Sequence, residues 1–343
     1  MQTGYVDSER RVCHKCVRVT SVLNLSELKF ESYSFCALML NPPLSLLSDD
    51  LVDYLVEHVA SLTFWEEALH NLSLADPAFT DFCQKYLFRT LTLGREDGTR
   101  RRICNKLTKV KSILDDKPSF ATRVRKIELF IGHKQNAWLF QNSSLRSRKK
   151  HPRRKDTGYP ITFISILQLL ANSPVPPHEL HFMGLYPIED PVLVVGRLSQ
   201  SFFSQSLTIL HLTKCKNMPL PLFLVCPKLK EVCLDRVGAS QEGYDRYPVD
   251  QYSGRELPAL ELFDYRESHT VVKQMINSPP RFHTPVVLWS KLRVLTLSPH
   301  ESAEMALLQP ILDAASTILE ELYLTNLHVG PGKCSVFNKM KHI

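Results

Sequence analysis

Cys13-His14-Lys15-Cys16 is the first place along this chain where side chains are spaced to do chemistry together. Two thiols with two residues between them are half of a structural zinc site, and such a site needs four ligands. No second pair follows at a matching distance and Cys36 stands alone, so no metal is expected. The second place is the run RSRKKHPRRK, which carries Arg146, Arg148, Lys149, Lys150, Arg153, Arg154 and Lys155 and no acid. A run of this density serves as a nuclear import signal or a phosphate-binding patch, or is a solvated insertion that like charges keep extended. The net charge of the chain is +7, and these residues carry all of it. A basic face for nucleic acid is therefore not indicated, and nucleic acid is not an expected partner.

Catalytic patterns are missing from the sequence. It holds no H-E-x-x-H, no G-x-S-x-G and no P-loop. Glycines that let a backbone approach phosphates are scarce: there are 12, and the one Gly-x-Gly is Gly330-Pro331-Gly332. No cofactor is expected, and the chain reads as a binding protein and not an enzyme.

The elements that would position a binding surface come next. With 343 residues, 44% hydrophobic and 22% charged, the chain can build one large or two ordinary globular domains. Its nine cysteines, several in apolar surroundings such as Cys226 and Cys233, suggest buried thiols in a reducing compartment. The opening MQTGYVDSERR lacks the apolar core of a signal peptide, and the longest apolar stretches are too short to span a bilayer. A cytoplasmic or nuclear protein with no membrane partner is expected.

Residues 1–43 show no sustained period and read as an extension. Ser48, followed by Asp49 and Asp50, marks a helix start, and Val52, Leu55, Val56 and Val59 form one apolar face. A second short helix fits Glu66 to Leu74. Asp76-Pro77 caps a third, with Phe79, Phe82, Cys83, Tyr86 and Leu87 on its stripe. A further helix carries Ile103, Leu107, Val110, Ile113 and Leu114 and stops before Pro118.

Past residue 120 one pattern recurs: apolar, two residues, apolar, one residue, apolar. It reads Val124/Ile127/Leu129, Leu207/Leu210/Leu212, Leu229/Val232/Leu234, Leu257/Leu260/Leu262, Leu292/Leu295/Leu297 and Leu319/Leu322/Leu324, with a weaker Leu180/Phe182. Helical stretches lie between copies, at Thr162 to Leu170, Pro191 to Phe203 and Ser302 to Ala315. The spacing is close to that of leucine-rich repeats and predicts an α/β fold, a curved solenoid with a parallel sheet inside. An ordinary α/β sheet gives similar apolar runs, but six copies sharing phase and length favour the solenoid. Strand side chains alternate, so positions between the leucines face outward, and His211, Arg293 and Tyr323 are the expected target contacts.

Leu47 to Leu93 resembles the F-box-like domain of basidiomycete fungal proteins. The likeness is carried by LSDDLVDYLVEHV, LHNLSLADPAF and FCQKYLFRTLTL. It implies a three-helix F-box-like module over 44–92, a helical linker over 93–120 and a repeat domain over 121–343 with a basic insertion at 142–158. It implies, further, a substrate receptor of an SCF-type ubiquitin ligase, docked on the Skp adaptor and through it on a cullin, with the repeats holding an unknown protein substrate. By motif position Leu47, Asp50, Leu51, Leu55, Val59, Leu69, Leu74 and Phe79 would bind the adaptor, as an apolar helical face fills a groove. Ser48 stands where proline is typical, and Asp76-Pro77 replaces the usual small-or-Cys/Arg pair. Those departures leave open the alternative, a repeat scaffold whose degenerate F-box does not bind the adaptor.

Overall fold

The computed structural model describes residues 48–94, 100–131, 159–184, 203–240, 256–277, 285–298, 302–324 and 339–341. The chain divides into two compact units, residues 1–52 and 53–343. Of the first, only 48–52 are described, where Ser48 O accepts from the N–H groups of Leu51 and Val52 as a helix begins. Residues 1–43, Leu47, the basic run at 146–155 and nearly all of the helix expected at 191–203 lie outside the described residues.

Three helices open the described chain: α1 (Asp49–Ala60), α2 (Trp65–Ala75) and α3 (Pro77–Leu87). The start of α3 is set locally. The Asp76 carboxylate accepts from Ala78 N–H at 2.8 Å, and Pro77 takes the first helical position, where no N–H is needed. Leu69 and Leu72 of α2 and Phe79 and Cys83 of α3 are buried as these helices pack together, apart from the continuous core under the sheet.

The stretch after α3 belongs to the sheet. Strand β1 (Thr90–Leu93) pairs in parallel with β2 (Lys126–Ile131), setting Leu91 opposite Ile127 and Leu93 opposite Leu129. A module boundary at 92 thus falls within a strand. Nor is the next helix a linker: α4 (Arg100–Asp116) buries Ile103, Cys104, Leu107 and Leu114 in the sheet's core. Ile113, expected on that face, is exposed. Counted from Ile103, Leu114 returns to the same side after three turns, whereas Ile113 falls about a quarter-turn short.

The remaining elements alternate as the apolar pattern requires. They are α5 (Tyr159–Ala171), β3 (Glu179–Gly184), α6 (Phe203–Ser206), β4 (Ile209–Thr213), α7 (Pro221–Leu224), β5 (Glu231–Asp235) and β6 (Leu262–Arg266). Then come α8 (His269–Asn277), β7 (Val294–Ser298), α9 (Ser302–Ala315), β8 (Glu321–Leu324) and β9 (Lys339–Lys341). The fold is α/β. One open sheet runs in chain order from β1 to β9, parallel through β8, with β9 antiparallel at the end.

The copies agree in backbone detail as well as in sequence. The carbonyl just before each strand accepts two successive N–H groups of the next copy: Arg89 from Arg125 and Lys126, Arg125 from His178 and Glu179, His178 from Thr208 and Ile209. The same fork continues at Thr208, Lys230, Glu261 and Arg293. Immediately after a strand the chain enters the left-handed region, at Gly94, Lys214, Arg236 and Glu267. The register also corrects one copy. Val232 and Leu234 lie opposite Phe263 and Tyr265, so the sixth strand's inward set is Leu260/Phe263/Tyr265 and not Leu257/Leu260/Leu262. Leu262 faces outward, and the distances of this copy from its neighbours at Leu229 and Leu292, 28 and 35 residues when counted from Leu257, become 31 and 32 when counted from Leu260.

Three residues beyond the last inward position stand Cys215, Val237 and Ser268, all buried. Ser268 Oγ accepts from Val237 N–H at 2.9 Å and donates to Arg266 O at 2.7 Å, tying one copy to the one before. Cys215 Sγ reaches Phe182 O in the same sense at 3.4 Å. Burial pushes the Cys215 thiol up to about 12, which keeps it protonated and able to donate. Ser268→Ala should cost about 1–3 kcal/mol, because it leaves the Val237 N–H buried and unpaired. Chemical unfolding with an unchanged midpoint would refute that role.

Candidate protein-binding surfaces

The outer sheet face is built by alternation. β3, β4 and β5 alternate between half-buried and buried along their length, because successive side chains leave the pleat on opposite sides. In-register pairing then lines the outward side chains up across strands. One row reads Lys126, Glu179, Ile209, Glu231, Leu262, Val294 and Glu321. The next reads Thr92, Glu128, His181, His211, Cys233, Asp264, Thr296 and Tyr323.

His211 and Tyr323 therefore share one row, as expected of face residues. The Tyr323 hydroxyl donates to the Glu321 carboxylate. Arg293 does not belong with them: it precedes β7 and stands at the rim, where it forms two hydrogen bonds with Glu320, at 2.7 and 2.8 Å. In each copy the first residue after the leading leucine is rim and the second is face. That one-residue difference hid Ile209, Glu231 and Val294 from the sequence reading, although the alternation rule applied from the strand's first residue would have found them.

The face is most polar between β2 and β4. The His181 and His211 rings stack with centroids 4.1 Å apart. Glu179 Oε1 lies 2.7 Å from His181 Nε2, and Lys126 Nζ lies 3.0 Å from Glu128 and 3.7 Å from Glu179. Burial and then the neighbouring His181 lower the His211 pKa to about 4, against a smaller upward pull from Glu179. At Glu179 burial acts upward, but His181 and the Lys126 charge outweigh it and hold the carboxyl at about 2.

A pH dependence follows. Unfolded His211 takes up a proton at its ordinary value of about 6.5, the folded residue only near 4, so acid favours the unfolded chain in between. This contribution is fully present above about 6.5 and is lost as the pH falls towards 4. The Glu179 contribution is present above the ordinary carboxylate range and fades only on further descent towards 2. Unfolding free energies measured stepwise across this range should fall from about pH 6.5 downward, and His211→Gln should flatten the upper part only. An identical profile in the variant would rule this out.

The helical segment offers a different surface. Among the adaptor contacts expected by resemblance, Asp50 and Leu51 are exposed, Leu55 is exposed, Val59 is half-buried and Leu74 is exposed. Leu69 and Phe79 are not available to a partner, since both are buried in the packing of α2 on α3. Their apolar stripes reported correctly which side of each helix is apolar, but the chain itself covers it. Tyr54, Leu62 and Phe64 are exposed apolar residues that the motif did not single out, Phe64 at 80%.

Among the described residues no group of His, Cys, Asp or Glu is arranged to hold a metal, and no helix is long and apolar enough to cross a membrane. No family model, curated protein or solved structure matches this chain.

Proposed function

We propose that the chain is a substrate receptor of an SCF-type ubiquitin ligase, an F-box-like module followed by a leucine-rich-repeat-like solenoid. The solenoid reading is supported by the repeated forked carbonyl, the recurrent left-handed residue after the strand, and Cys215, Val237 and Ser268 at the Asn/Cys position of a leucine-rich repeat. The observation that carries the receptor reading is the run of exposed apolar side chains in the helical segment: Tyr54, Leu55, Leu62, Phe64 and Leu74. Water contact at so many large apolar groups within some twenty residues is costly, and that concentration in one segment supports a partner site there. The Skp adaptor, with a cullin behind it, is the partner that the resemblance supplies.

Calorimetry of the full chain against the Skp adaptor is the test. Micromolar binding is expected, and Leu51→Asp with Leu55→Asp should abolish it, because an unpaired charge cannot be desolvated cheaply. Wild-type protein that shows no binding at micromolar levels defeats the receptor reading and leaves the repeat scaffold.

A further inference from the structure

On a face otherwise dressed with polar groups, Glu231 lies directly between Ile209 of β4 and Leu262 of β6, with Val294 the next neighbour in the row. All four are half-buried. The Glu231 carboxylate has no hydrogen bond or ion pair among the described residues, although its backbone N–H is used in the fork at Thr208. The base beside it in sequence, Lys230, is taken by Glu261 at 2.8 Å. Burial and then the carboxylates of Glu179 and Glu261 raise the Glu231 pKa, against a smaller opposing pull from Lys230. A half-buried carboxylate among aliphatic side chains, next to further acids, is short of positive charge.

We infer that the outer face of β4, β5 and β6 takes a peptide segment of the target that presents one lysine or arginine among apolar residues, with the cation on Glu231. The dimensions suit this. Strands lie about 4.8 Å apart, so Ile209 and Leu262 are about 10 Å apart with Glu231 midway, a span that three extended residues cover. A lysine or arginine stem is aliphatic up to its charged head and lies over such a row while the head reaches the carboxylate. An acidic segment is disfavoured by Glu179, Glu231 and Glu261 together. This deepens the receptor reading, since it rests on the sheet face being the surface that holds the target, but it does not depend on the adaptor.

The test is a selection of short random displayed peptides on the full chain, on Glu231→Gln and on Glu231→Lys. Each variant is first shown to melt as the wild type does. Wild type should enrich lysine or arginine flanked by apolar residues, Glu231→Gln should lose that preference, and Glu231→Lys should turn it towards aspartate and glutamate. A selected peptide remade with norleucine for its basic residue should bind about tenfold more weakly. No excess of basic residues on wild type, or the same sequences on wild type and Glu231→Lys, overturns the inference. If Glu231→Lys does not fold, loss or retention of the preference in Glu231→Gln decides. Adaptor calorimetry is independent of all these outcomes, so a chain that fails there and passes here loses only the receptor reading.

Discussion

Leu295→Ala should lower the unfolding free energy by about 2–5 kcal/mol, read from the midpoint and slope of denaturant unfolding. Leu295 is fully buried as the second residue of β7, in register with Phe263 on one side and Leu322 on the other. Parallel strands fix the backbone on both sides, so little can collapse into the space that the three removed carbons leave, and the cavity cost adds to the transfer cost. The comparison that gives the number meaning is the combined replacement of His211, Arg293 and Tyr323 by alanine. Arg293 and Glu320 are both more than half exposed, so water screens their ion pair and its loss should change stability little. His211 and Tyr323 are half-buried on the outer face, so truncating them opens no enclosed cavity. A triple variant that unfolds while Leu295→Ala stays wild-type-like would mean that the two faces of the sheet are inverted.

Gly94→Val should have a comparable effect for a different reason. Gly94 follows β1 at φ +90°, and a Cβ built there would sit 2.4 Å from the Phe130 carbonyl oxygen. The obstacle is backbone of the neighbouring strand, which cannot swing aside as a long side chain could. The left-handed conformation costs a side chain about 1–2 kcal/mol and forced repacking about 1–3 more. A loss of about 2–5 kcal/mol is expected, with β1 the first strand to detach, visible as faster amide exchange at Leu91 and Leu93 than elsewhere in the sheet. Uniform exchange with unchanged stability would refute the close approach. Lys214, Arg236 and Glu267 share the conformation but not the glycine.

Local chemistry was legible in the sequence. Asp76-Pro77 announced the start of α3 because a cap and a proline act within one turn. The alternating apolar positions announced the strands because burial on one face of a sheet imposes a period of two. What covers an apolar stripe is not local. Leu69 and Phe79 were assigned outward although α2 and α3 cover each other, and no periodicity distinguishes a chain's own partner from a foreign one. The copy at Leu257/Leu260/Leu262 was misread because two leucines lie in a three-residue window, while the inward positions after Leu260 are aromatic, Phe263 and Tyr265. The rim position of Arg293 depended on where a strand begins, which the spacing of leucines does not mark to the residue.

The strict chain order of the sheet bears on how the molecule is assembled. Among the described residues each strand from β2 to β8 has only its predecessor and its successor as ladder partners, and no late strand returns to close on β1. Folding then resembles a zipper: a few adjacent copies form a nucleus, and each further copy docks on an edge already built, with no long loop to close at the end. Chain length between copies is nearly free under this arrangement, since a longer connection between two neighbours adds only a logarithmic entropy cost. The two ends are where such an assembly frays and where it offers unpaired backbone to other chains. At the far end the short antiparallel β9 pairs with Glu321, Leu322 and Tyr323, so that stretch of the β8 edge is already occupied by the chain's own residues.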